Sequence, residues 1–186
     1  MSINASVRRG VAGGLIATVM GSVLATGAVS ADPERVAAGP LSIPRAALAG
    51  WNVSGPDTEG TTAASVKLPG KNWASVVELG ITGADGRTSE DVARSIVLNA
   101  PNTSGYVKNK ARVVGLVVTP TNISGVQATR ATASIEVQGA PVSADRFHVV
   151  VVNTKPQTYF VSAVPFEAAD RIAQANAAES GLTANR

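Results

Sequence analysis

Four runs rich in β-branched residues follow one another with only short gaps between them: Ala111 to Thr119, Val126 to Gln138, Phe147 to Asn153 and Thr158 to Val164. The gaps are Pro120-Thr121-Asn122, Gly139-Ala140-Pro141 and Thr154-Lys155-Pro156-Gln157, all turn formers. A parallel neighbour needs a crossover of roughly a dozen residues or more, so strands linked this tightly run antiparallel. This half of the chain is therefore expected to form a meander.

The chain ahead of it adds two more strand-like runs, Thr61 to Lys67 and Asn72 to Thr82, joined through Pro69-Gly70 as a hairpin. In the second, Trp73, Val77, Leu79 and Ile81 share one side by alternation. Leu41 to Ser54 carries Ile43, Leu48, Trp51 and Val53 as apolar anchors but is interrupted by Pro44 and Gly50, which predicts a short edge strand or an irregular arm. Thr88-Ser89-Glu90-Asp91 has a hydroxyl for a helix N-cap and acids for its first turn; Val92 and Ile96, with Ala93 or Val97, supply a buried stripe that ends near Asn99, before Pro101. A second helix is expected from about Pro165 to Ser180. Its apolar face would be Phe166, Ala169, Ile172, Ala173 and Ala177, with Glu167 pairing to Arg171 and Gly181 as the stop. The sum is an α+β domain over 41–186: an antiparallel sheet of about six or seven strands packed with two main helices.

The N-terminal thirty residues read as an address. Arg8 and Arg9 precede an uncharged run from Gly10 to Ala28, and Val29-Ser30-Ala31 suits signal peptidase cleavage before Asp32. The run is thinned by glycines and hydroxyls, which favours a cleaved signal peptide over residues 1–31 rather than a retained anchor. With no cysteine anywhere, lipid attachment at a new N-terminal thiol is excluded. The expected product is secreted or held in the cell wall without a stable transmembrane anchor. Residues 32–40 read as a flexible leader.

Removing Arg8 and Arg9 leaves 14 basic residues against 13 acidic ones, so the apparent basicity belongs mainly to the leader. A near-neutral domain has no electrostatic footprint for nucleic acid. The absence of cysteine and a single histidine exclude zinc fingers, thiol nucleophiles and His-rich metal centres, and no motif calls for a cofactor.

His148 is the one neutral-pH base and thus the residue a secreted hydrolase would need, beside a hydroxyl and an acid. It stands in Phe147-His148-Val149-Val150-Val151-Val152 with no Gly-x-Ser-x-Gly elbow, which points to a structural or surface histidine. Glu136 and Asp145 are the candidates for a glycosidase pair, but they are expected near opposite ends of a hairpin, solvated and without an aromatic platform. No catalytic residue is assigned. Lys108, Lys110 and Arg112 recur with period two, which in a strand places three cations on one face with Tyr106 at its head. Such a row suits an anionic envelope glycan or lipid, against the plain alternative of a solvated or edge-protecting face. Trp51 and Trp73 are the only indoles, expected in the core but able to mark a ligand site if they line a cavity.

Ile43-Pro44 with Gly50-Trp51, the hairpin through Asn72-Trp73, the helix at Ser89 to Leu98, the long strands around Ala131 to Val137 and Phe147 to Val152, Tyr159-Phe160-Val161 and the closing helix occur in an order that resembles the LpqN-type actinobacterial envelope proteins. The resemblance implies a PsbP-like α/β sandwich and an envelope accessory or ligand-binding role without catalytic residues. It departs from lipid-anchored members in lacking the lipobox cysteine. Another envelope protein as partner, or a host-facing antigen with no small ligand, is the alternative outside the enzyme class.

Overall fold

A computed structural model describes residues 34–83 and 85–185; the leader expected over 1–31 lies outside them. The first described element is a strand, β1 (Arg35–Ala38), hydrogen-bonded antiparallel to β2 (Leu41–Pro44). This corrects the flexible leader expected over 32–40. Val36 and Ala38 alternate into the interior, and the two-residue turn Gly39-Pro40, with Gly39 at φ +55°, closes the hairpin.

After a 3₁₀ turn at Arg45–Leu48 come β3 (Asn52–Ser54), β4 (Thr62–Lys67) and β5 (Ala74–Ile81), with β4 and β5 forming the expected hairpin. Helix α1 (Ser89–Asn99) begins where its cap residues predict: the Thr88 hydroxyl accepts from the Asp91 N–H at 3.1 Å. Then β6 (Arg112–Ile123), β7 (Val126–Glu136), β8 (Ala144–Val152) and β9 (Thr158–Pro165) form the meander, followed by α2 (Ala169–Ser180) and β10 (Thr183–Ala184). The main sheet has seven strands in the order β3-β4-β5-β9-β8-β7-β6, and a second sheet has β1-β2-β10; every pairing among the described residues is antiparallel.

Pro120, expected to end a strand, instead lies inside β6. An edge strand tolerates proline because its outward N–H has no ladder partner to lose. The turn falls later, at Ser124-Gly125, where both residues have positive φ and the Asn122 side chain accepts from the Gly125 N–H at 2.7 Å.

One face of the main sheet carries α1, whose Val92, Ala93, Ile96 and Val97 pack over β7 and β8. The other carries α2, the 3₁₀ turn and the small sheet. Sandwiched between them, β8 and β9 are buried on both sides, which is why Val149 to Val152 run without alternation. The face of α2 differs from the expectation. Phe166 and Ala169 are exposed, the helix begins only after Pro165 has closed β9, and its buried residues are Ala175, Ala178 and Glu179. An alanine-rich helix has little hydrophobic contrast between its sides, so a polar contact of Glu179 sets its rotation.

Candidate functional site

Strand register divides the main sheet into two chemically unlike ends. At one, β4, β7 and β9 finish and β5, β6 and β8 start: Lys67 opposes Ala74, Arg112 opposes Glu136, Glu136 opposes Ala144, and Asp145 opposes Pro165. Lys67, Lys71, Lys108, Lys110 and Arg112 are all exposed there. At the other end stand exposed Asp57, Glu59, Asp85, Glu90 and Asp91, with Arg87 bound to Asp85 and one exposed lysine, Lys155, while exposed Glu167 stands with Lys71 at the lysine end.

The period-two row of cations does not form. Lys108 sits in a 3₁₀ turn at Val107–Asn109, Lys110 adopts a left-handed conformation (φ 45°, ψ 48°), and only Arg112 belongs to a strand, where it pairs with Glu136. The segment is held out of the sheet because the Asn109 carbonyl accepts from the Gln138 N–H at 2.7 Å and Tyr106 is drawn inward. Lys108 and Lys110 nevertheless stay at the same end of the sheet as Lys67 and Lys71 of the β4–β5 hairpin. Lys71 Nζ donates to the Pro141 carbonyl at 2.8 Å, tying that hairpin to the β7–β8 connection. None of Lys67, Lys108 and Lys110 has a carboxylate within ion-pair distance among the described residues.

Tyr106 is buried beneath this end. Its hydroxyl donates to Asp145 Oδ2 at 2.5 Å, and the Trp73 indole N–H donates to the same carboxylate at 3.1 and 3.2 Å. The two rings lie 5.9 Å apart and tilted by 60°. Trp73 precedes β5 and departs from the expected alternation, because Asp145 belongs to the face opposite Val77. Trp51 takes no part: it is buried, and its indole donates to Gln174 Oε1 of α2 at 2.7 Å. Burial pushes the Asp145 carboxyl up to about 6, against the pull of the Tyr106 and Trp73 hydrogen bonds, and raises the Tyr106 hydroxyl above its usual range. Asp145 is thus buried rather than solvated. Glu136 and Asp145 stand at the same end of adjacent strands, since Ile135 opposes Asp145, so the two carboxyls face opposite sides of the sheet. They cannot flank one glycosidic bond.

His148 lies on the α2 side, buried. Its Nδ1 meets Glu179 Oε2 at 2.8 Å, Arg146 Nε donates to its Nε2 at 2.8 Å, and Arg130 binds the other Glu179 oxygen at 2.6 Å. With Nε2 accepting, the ring proton sits on Nδ1 and points at Glu179. Burial raises the Glu179 carboxyl, but His148 and Arg130 outweigh it and hold the group below the usual range. Ser162 opposes His148 across β8–β9, so a hydroxyl, an imidazole and an acid do come together. The nitrogen a nucleophile needs is occupied by Arg146, and the adjoining cavity, lined by Arg146, Ser162, Ile172 and Asn176, is only about 10 Å³. That is room for about one water.

Sequence reasoning missed one further buried acid. Glu78 receives the Tyr159 hydroxyl at 2.6 Å on Oε1, and its Oε2 has no partner among the described residues. Gly80 makes this approach feasible: a Cβ there would lie 2.5 Å from the Tyr159 ring. Burial raises Glu78 to about 7, the phenol lowers it, and Asp57 raises it further. The signal was a lone acid in Val76-Val77-Glu78-Leu79.

No family model matches the chain, and no curated protein matches it. Among solved structures it is similar to a Pseudomonas aeruginosa protein of unknown function, with 13% identity over 73% of this chain and 98% of that one, at a TM-score of 0.47. It is also similar to a cyanobacterial PsbP from Synechocystis, with 11% identity over 73% of this chain and 92% of that one, at a TM-score of 0.42.

Proposed function

We propose that the chain is exported, cleaved after Ala31, and acts in the cell envelope as a non-catalytic accessory or binding protein that holds anionic material at the lysine end of its sheet. The observation that carries this reading is the placement at one end of the sheet of Lys67 and Lys71 on the β4–β5 hairpin and of Lys108 and Lys110 on the connector before β6, opposite an end richer in acids. Cations without carboxylate partners keep their potential for an external anion. The engagement of both His148 nitrogens supports a role without hydrolysis. The order of elements shared with LpqN-type proteins belongs to the same reading.

Two measurements test it. Mass spectrometry of the envelope or medium fraction should find a chain starting at Asp32; an intact Met1 terminus in the membrane would defeat the export half. Co-sedimentation with cell-wall and anionic-lipid preparations at low salt should be lost in the Lys67→Gln, Lys108→Gln, Lys110→Gln variant. Hydrolytic turnover that vanishes in Ser162→Ala and His148→Gln would favour a hydrolase instead.

A further inference from the structure

The large apolar side chains left in solvent are unevenly placed. Among the described residues they are Leu98 (56% exposed), Val107 (57%), Val114 (37%), Val117 (55%) and Phe166 (49%). Leu98 is the penultimate residue of α1, whose first residue, Ser89, bonds Thr129 towards the acidic end, so Leu98 emerges at the lysine end. Val107 adjoins Lys108, and the Phe166 N–H donates to the Ala144 carbonyl at the start of β8. Val114 and Val117 lie in the first half of β6, just beyond Arg112. None of the five stands at the acidic end.

We infer that this end docks on an anionic lipid surface, with Leu98, Val107 and Phe166 entering the acyl boundary and Lys67, Lys71, Lys108 and Lys110 meeting the headgroups. The inference rests on the proposed anion-binding role and narrows its target. Interfacial binding needs apolar groups at a tip ringed by cations, and this end supplies both. A glycan polymer would use hydrogen bonds and aromatic platforms; here the Trp73 and Tyr106 polar groups point inward to Asp145, and exposed aliphatic side chains offer a sugar nothing. The acidic end, with the opposite charge, orients the molecule away from the surface.

The test uses the chain from Asp32, which contains every described element, because the apolar Gly10 to Ala28 run would partition by itself. It should sediment with phosphatidylcholine vesicles containing phosphatidylglycerol, not with phosphatidylcholine alone, and release at high salt. Leu98→Ser, Val107→Ser and Phe166→Ser combined should lower the partition coefficient by about tenfold or more, with the far-UV spectrum and melting temperature unchanged, since all three sites are exposed. Lys67→Gln, Lys108→Gln and Lys110→Gln combined should lower it similarly. If the serine variant binds like the parent, the attraction is electrostatic only and lipid docking is wrong. Capture by an anionic cell-wall polymer without vesicle binding would overturn this inference and leave the proposed function standing. Binding to neither would overturn both.

Discussion

Two buried carboxyls on the same face of the main sheet, one towards each end, are held in different ways. Asp145, under the lysines, receives two donors, the Trp73 indole and the Tyr106 hydroxyl, and both its oxygens are satisfied. Glu78, towards the acidic end, receives only the Tyr159 hydroxyl, leaves Oε2 unpartnered, and has Asp57 close enough to repel its charge. Burial raises both, to about 6 and about 7 respectively. Glu78 therefore holds its proton to higher pH than Asp145 does. Each also has a neighbouring acid that disfavours its charge, Glu167 beside Asp145 and Asp57 beside Glu78, so what separates the two is donor supply, and only the first of these carboxyls anchors aromatic side chains from two other segments.

The largest expected effect comes from removing the better-satisfied acid. Asp145→Leu strands the Trp73 N–H and the Tyr106 O–H inside the protein, and at ~1–3 kcal/mol for each orphaned donor it should cost about 4 kcal/mol in urea unfolding. Glu78→Leu strands one phenol and should cost about half as much; equal losses would break the comparison.

The next effect is a pH dependence with a definite sign. Below about 7 the folded chain holds a proton on Glu78 that the unfolded chain releases near the ordinary value of 4.5, so stability falls as pH rises through that window and is flat above it. Asp145 adds the same slope up to about 6. Glu78→Gln should flatten the profile and stabilise the fold at pH 8 by on the order of 2 kcal/mol, with little gain at pH 5. Thermal melts across pH will show this; an unchanged slope would mean that Glu78 is not the titrating group.

Glu179 extends the series with the opposite sign. Its carboxyl is held low by His148 and Arg130, so its contribution is present at neutral pH and lost as pH falls through the acid range. Glu179→Gln should cost about 1–2 kcal/mol at pH 7 and less at pH 3, while the neighbouring Ser162→Ala should stay within about 0.5 kcal/mol. The smallest effect belongs to the lysines. Substituting Lys67, Lys108 and Lys110 by Gln should move stability by under about 0.5 kcal/mol, because none is in an ion pair among the described residues, so any loss of binding is separable from loss of fold.

What the chain carries locally is legible in it. Turn formers between β-branched runs predict the meander, Thr88 and the acids after it predict the start of α1, and Pro69-Gly70 predicts the hairpin of β4 and β5. These rest on backbone restrictions acting over a few residues. What depends on distant partners was not legible. β1 exists because β2 pairs with it, Pro120 is tolerated because β6 is an edge, and α2 turns Glu179 inward because His148 and Arg130 wait on β8 and β7. Lys108 and Lys110 show a strand periodicity that the fold does not use, yet both stay exposed at one end of the sheet because their short connector is held there. By itself, then, the sequence determined the strands of the meander and of the β4–β5 hairpin, the first helix and the chemistry available. Only the tertiary structure decided which acids lie buried and which apolar side chains stay in solvent beside the lysines, because burial and charge are set by elements far apart in the chain that meet only on folding.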